Sequence, residues 1–124
     1  FCGGMTEDAV KLVSSGPMMG FAIVGLGSPT KKTTGGLLLL SAGETDESRP
    51  TPCLSCGKCA DVCPMKLMPM NTAFYTEAGD YEGAAHMGGV LSCIECGACA
   101  YVCPAKRPLL QNIRLAKAEL RKKK

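Results

Sequence analysis

The stretch from Cys53 to Pro64, CLSCGKCADVCP, decides the fold, and the chain contains it twice. CIECGACAYVCP, from Cys93 to Pro104, repeats it at a period of 40 residues with 8 of 12 positions identical. Each copy follows the pattern C-x2-C-x2-C-x3-C-P. A ligand motif repeated in this way predicts two similar metal sites in one unit.

The spacing carries specific chemistry. A cubane iron–sulfur cluster has four iron corners, and each needs one thiolate. Three cysteines at three-residue steps let one short loop supply three corners. Small residues in the loops, Ser55, Gly57, Gly97 and Ala98, let the backbone approach and aim amide N–H groups at sulfur. The fourth cysteine does not easily curl back, and in bacterial motifs of this spacing it ligates the other cluster. The expected ligands are therefore Cys53, Cys56, Cys59 and Cys103 for one 4Fe–4S cluster. Cys93, Cys96, Cys99 and Cys63 are expected to hold the second. Cys59 and Cys63 are about one helical turn apart, as are Cys99 and Cys103, so two turns tie the sites together. Pro64 and Pro104 restrict the cysteines before them and turn the chain away. Zinc sites use two C-x2-C pairs per ion, and the third cysteine and trailing Pro argue against them. A disulfide framework would need an oxidising compartment that nothing in the sequence signals.

Composition agrees with a metal-braced fold. The 124 residues include 9 Cys, 15 Gly and 8 Pro, with 5% aromatic residues and no Trp. Large core side chains are scarce, so an inorganic staple would help. The formal charge of +3 counts the thiols as neutral. Eight thiolates and two oxidised cores bring the loaded chain to about −1, which gives no reason to expect a nucleic-acid partner. No apolar run approaches the roughly 18 residues of a membrane span, and Leu37 to Leu40 is far too short. The opening FCGGMTED has no initiator Met and no signal segment. It reads as the start of a piece cut from a longer polypeptide.

The expected class is α+β: a mainly helical dicluster ferredoxin domain over 51–124, preceded by a strand-rich segment over 1–50. AVKLV (9–13), FAIVGL (21–26) and GLLLLSA (36–42) read as short buried strands without an obvious partner sheet, with SGPMMG as a turn. GETDESRPTP (43–52) reads as a linker. Between the motifs, Asn71 and Asp80 are candidate caps of two short helices separated by a turn at Gly79–Asp80, the second ended by Gly88–Gly89. Pro108 suits the first turn of a last helix, whose apolar face is Leu109, Leu110, Ile113, Ala116 and Leu120. The basic end from Arg121 to Lys124 is a solvated helix terminus or a docking element for an anionic surface or acidic partner. Met65, Met68, Met70 and Met87 are expected to fill core near the motifs. Cys2 reads as a buried or free thiol, and His86 as a surface or packing residue. Lys106 and Arg107 either raise the potential of the first cluster, dock an acidic donor, or are simply solvated. No catalytic residues are indicated, and GLGSP (25–29) lacks the following helix a phosphate loop needs.

The second motif continues as CIECGACAYVCPAKRPLLQNIRLAKAELRKK. Together with GPMMGFA (16–22), CGKCADVCPMKLMP (56–69) and DYEGAAHMGGVLSCIECG (80–97), it closely resembles the C subunit of the bacterial Rnf electron-transport complex. The resemblance covers essentially the whole chain and all eight motif cysteines. It implies the C-terminal part of that subunit, with FMN and NADH bound only in upstream modules lying outside this chain, and residues 1–50 as the end of a β-rich part. It also implies a role within an ion-translocating ferredoxin:NAD oxidoreductase, at the cytoplasmic face of the bacterial membrane. The expected partners are other Rnf subunits, membrane subunits and a ferredoxin-type subunit among them. A related soluble flavin-linked reductase, such as a cobalamin reductase, shares the module order and is the alternative.

Overall fold

A computed structural model describes residues 3–45 and 48–123. Cys2 and Lys124 lie outside the described residues. The chain folds as two compact units, Phe1–Ser48 and Arg49–Lys124. Its class is α+β, with strands in the first unit and helices in the second.

The first unit is a three-stranded antiparallel sheet of β1 (Ala9–Ser14), β2 (Phe21–Ile23) and β3 (Leu37–Ser41), in the order β2-β1-β3. Ser14 pairs with Phe21 and with Leu37, so β1 is the central strand. The six-residue SGPMMG loop joins β1 to β2 and is closed by a Gly20 N–H to Gly16 O hydrogen bond of 2.7 Å. Two expectations need correction here. The three runs pair with one another and so make their own sheet. They are also not buried strands: Val13 is buried, but Val10, Phe21, Leu37 and Leu39 are exposed. A three-stranded sheet has too few layers to cover both faces.

The second unit holds five helices among the described residues: α1 (Lys58–Asp61), α2 (Pro69–Glu77), α3 (Tyr81–Gly88), α4 (Ala98–Tyr101) and α5 (Leu109–Lys122). Helix α2 begins earlier than expected. Asn71 is inside its first turn, and Met68 is the N-cap because Pro69, which needs no intrahelical partner, occupies N1. The α2–α3 turn is a Schellman closure. Gly79 N–H donates to Thr76 O at 3.0 Å and Asp80 N–H to Tyr75 O at 2.9 Å, with Gly79 at φ 76°. Asp80 then caps α3 by accepting from Gly83 N–H at 2.8 Å, and Gly89 ends it in the left-handed region. Pro108 sits one position before α5, as its N-cap.

The core of this unit joins the helices to the motifs. Leu109, Ile113 and Ala116 of α5 pack with Ala73 of α2, Ala84 of α3, Val90, and the motif residues Cys59 and Cys99. Leu110 is buried too, while Leu120 packs at the core's edge. Burying the α5 face therefore fixes both cysteine loops. The methionine expectation holds only for Met70, which packs against the core; Met65, Met68 and Met87 are exposed.

Candidate metal centre

The 40-residue repeat extends into backbone conformation. Gly57 and Gly97 precede α1 and α4 with φ of 77° and 81°, and Val62 and Val102 end them with φ of −81° and −82°. Ser55 and Glu95 share a left-handed φ of 52° and 58°, as do Lys66 and Lys106 at 53° and 51°. Left-handed backbone is uncommon for residues with a side chain. Its recurrence at the same motif positions marks a shape that the loops are built to hold.

That shape turns amides onto sulfur. Ser55 N–H lies 3.4 Å from Cys53 Sγ, and Glu95 N–H lies 3.3 Å from Cys93 Sγ. Leu67 N–H lies 3.4 Å from Cys63 Sγ. Donors so placed favour the thiolate over the thiol and offset negative charge at the sulfurs.

The eight motif cysteines are all unpaired, and they line two cavities in interleaved sets. Cys53, Cys56 and Cys59 line one together with Cys103 from the second motif. Cys93, Cys96 and Cys99 line the other together with Cys63 from the first. The empty space is about 360 Å³ in the first and 430 Å³ in the second, counting the part open to solvent. Helices α1 and α4 lie against each other, which brings each fourth cysteine to the opposite loop. Among the described residues no three His, Cys, Asp or Glu side chains close on a point as a single ion requires. The thiols instead surround cavities.

The electrostatics fit a soft cluster as well. Burial pushes the Cys99 thiol up to about 11; a backbone hydrogen bond from Ala100 opposes this, and the neighbouring Cys93, Cys96 and Cys59 sulfurs add to it. Burial also raises the Cys59 thiol, with Cys103 contributing in the same direction. Thiolates crowded this way need cationic iron to hold them ionised. Arg107 is among the residues lining the first cavity, and its Nε is a buried donor with no hydrogen-bond partner in the protein. Four soft sulfurs per cavity and amides on sulfur fit iron–sulfur clusters.

Sequence reasoning missed the clamp on the second loop. Lys117, buried on α5, donates from Nζ to Cys93 O at 2.6 Å and to Glu95 Oε1 at 2.8 Å. Arg114 Nε donates to Glu95 Oε2 at 3.1 Å. The Lys117 hydrogen bond, followed by Arg114, holds the Glu95 carboxyl below its usual range against the cost of burial. The apolar spacing of α5 was the signal that it packs on the motif, but nothing marked Lys117 as facing inward. His86 is exposed. GLGSP forms a turn with no helix after it. Of the basic end, Lys122 pairs with Glu119 and Lys123 with Glu82.

Comparison with known proteins accords with this geometry. Residues 45–104 match the family model described as a 4Fe-4S dicluster domain. The chain is 49% identical over 119 residues to the C subunit of the ion-translocating oxidoreductase complex of Rhodobacter capsulatus, covering 96% of this chain and 23% of that protein. It is 45% identical over 121 residues to the C subunit of the proton-translocating ferredoxin:NAD(+) oxidoreductase complex of Clostridium ljungdahlii, covering 98% and 26%. It is 43% identical over 119 residues to the C subunit of the Na(+)-translocating ferredoxin:NAD(+) oxidoreductase complex of Acetobacterium woodii, covering 96% and 27%. The chain thus spans about a quarter of the length of the curated relatives it matches. Repeat, cavities and relatives agree, and the chain belongs to the Rnf-type family of C subunits of ion-translocating oxidoreductase complexes, in the part that bears the iron–sulfur dicluster domain.

Proposed function

We propose that this chain is the electron-relay part of an ion-translocating ferredoxin:NAD oxidoreductase, carrying two 4Fe–4S clusters in a mainly helical domain over 51–124. Cys53, Cys56, Cys59 and Cys103 hold one cluster; Cys93, Cys96, Cys99 and Cys63 hold the other. The observation that carries the reading is the lining of each cavity by three cysteines of one motif and the fourth of the other. Each bound cluster supplies reversible one-electron transfer.

The protein's own contribution is to hold and shield. Ser55, Glu95 and Leu67 amides fix sulfur positions. Leu67, Val90, Leu110 and Ile113 keep water from the second cavity, and Met70 and Leu109 from the first. The tight α1–α4 contact keeps the two sites near enough to exchange electrons directly. We place this relay between a flavin and NADH module elsewhere in the full-length protein and the other complex subunits, membrane subunits and a ferredoxin-type subunit among them, at the cytoplasmic face of the membrane. Among the described residues no helix is long and apolar enough to cross a membrane. The relatives' names favour this complex over a soluble flavin-linked reductase. Residues 1–50 would be the end of a β-rich part.

Anaerobic purification should yield about eight iron and eight acid-labile sulfide per chain. Reduction should produce a paramagnetic signal broadened by coupling between two clusters. Stoichiometric zinc without iron would contradict the reading.

A further inference from the structure

The repeat inverts a charge on the two helices that follow the cysteine motifs. Glu77, at the end of α2, and Lys117, within α5, occupy the same place in the 40-residue repeat. Glu77 is exposed, and its carboxylate is taken up by Arg107 and Asn112. Lys117 is buried. Its ammonium donates to Cys93 O at 2.6 Å and to Glu95 Oε1 at 2.8 Å. Cys93 lines the second cavity, so a buried cation is bonded to the backbone of a residue assigned to the second cluster. A buried ammonium is costly unless anionic groups offset it.

Three charges meet at this loop. Glu95 is a carboxylate that Lys117 and Arg114 hold below its usual range. The two cations exceed it by one. All three side chains are less than a third exposed, which leaves their charges weakly screened. Taking away Lys117 removes one positive charge, whatever Glu95 contributes, and leaves Glu95 with Arg114. The sign of that change therefore does not depend on where the Glu95 carboxylate stands in the cavity wall. Solvent at Cys53 and Cys56, which are exposed, acts on the first potential and is not altered by Lys117.

We infer that Lys117 raises the reduction potential of the cluster held by Cys93, Cys96, Cys99 and Cys63, favouring its reduced form through a buried positive charge bonded to Cys93 O. This role rests on the assignment of one 4Fe–4S cluster to each cavity. Reduction adds one electron to the cluster, supplied by dithionite in the test below, and no bond or proton changes place. Lys117 touches a ligand's carbonyl rather than the cluster, and acts as a positioning and charge-setting residue.

The test is a potentiometric titration of the anaerobically purified chain with dithionite and redox mediators, followed by electron paramagnetic resonance. A Cys96→Ser variant identifies the signal of the second cluster by perturbing it. Lys117→Met must lower the potential of that cluster and leave the first less affected. The change in its reduced-to-oxidised ratio at a fixed potential must be at least threefold, which is about 28 mV at 59 mV per tenfold for a one-electron couple. Lys117→Arg keeps the charge and must stay closer to wild type. Glu95→Gln frees Lys117 of its counterion and must move the second potential the other way, upward; damage to the loop alone would give no such reversal. The inference is overturned if Lys117→Met with full iron leaves the second potential unchanged or raises it, or if it shifts both clusters equally. A fall in Glu95→Gln overturns it as well. If Lys117→Met loses the second cluster, Glu95→Gln decides: a threefold rise supports the role of Lys117, and a fall or no change overturns it. Absence of iron from the wild type would sink the cluster assignment itself.

Discussion

Lys117 is the residue on which the second cysteine loop leans. Its ammonium is buried, and it satisfies both a backbone carbonyl of the loop and the Glu95 carboxylate. Lys117→Met keeps the length but leaves the Cys93 carbonyl without this donor and the Glu95 carboxylate with Arg114 alone. It should destabilise the protein by about 1–3 kcal/mol in urea unfolding and speed iron loss from the second cluster. An unchanged midpoint would show that the loop holds without Lys117. The cysteines set a second expectation at this scale. Because burial raises the Cys99 thiol to about 11, the thiol is neutral at pH 7 before iron binds, and iron must expel the proton. Reconstitution should become faster as pH rises from 7 to 9, with measurable proton release. The sign for the apoprotein is the reverse: a raised thiol value contributes stability below its ordinary value of 9.0, and that contribution is lost as pH climbs through about 11. A pH-independent reconstitution rate would contradict this. The eight cysteines were legible because their chemistry depends on local spacing. Lys117 was not, because its partners are 22 and 24 residues away and only the packing of α5 brings them together.

At the scale of elements, the repeat was legible over twelve residues but continues further in space. Helix α2 follows the first motif as α5 follows the second, and the two pack against each other. The sequences diverge there, with Ala73 opposite Ile113 in the repeat and Thr76 opposite Ala116, so identity fades while geometry persists. The cap signals gave a mixed result for a physical reason. Asp80 works because its carboxylate reaches the amide three residues on. Asn71 does not cap because Pro69 had already opened the helix. Gly88 shows what local reading cannot reach. It appears in the sequence as a helix stop, yet it also sits on Thr72, which is almost fully buried. A Cβ at Gly88 would lie 2.9 Å from the Thr72 backbone N and Cα and would also strike its hydroxyl. Gly88→Ala should therefore separate α3 from α2 and cost about 1–3 kcal/mol, despite the better helix propensity of Ala. Thermal unfolding would show this as a lower Tm; a higher Tm would mean that the helices part freely.

For the whole molecule, the two units differ in what holds them. The second has a core of α2, α3 and α5 closed over the cysteine loops. The first leaves Val24, Leu26 and Phe21 exposed and buries Val13. Residues 49–124 produced alone should retain both clusters, whereas residues 1–48 alone should show no cooperative unfolding. Loss of iron from the 49–124 piece would show that the sheet is needed to hold the clusters. Buried strands were expected because apolar runs usually find cover; pairing could be anticipated from the runs, but exposure depends on what lies against the sheet. The central claim concerns the cysteines, namely that the two sets of four are interleaved and that each holds a cluster. The most direct measurement is the electron paramagnetic resonance spectrum of reduced Cys63→Ser beside those of Cys96→Ser and Cys56→Ser. Cys63 belongs by sequence to the first motif but lines the second cavity. The predicted result is a Cys63→Ser spectrum that matches Cys96→Ser, with the same cluster disturbed. A spectrum matching Cys56→Ser would contradict it, placing all four cysteines of each motif on one cluster.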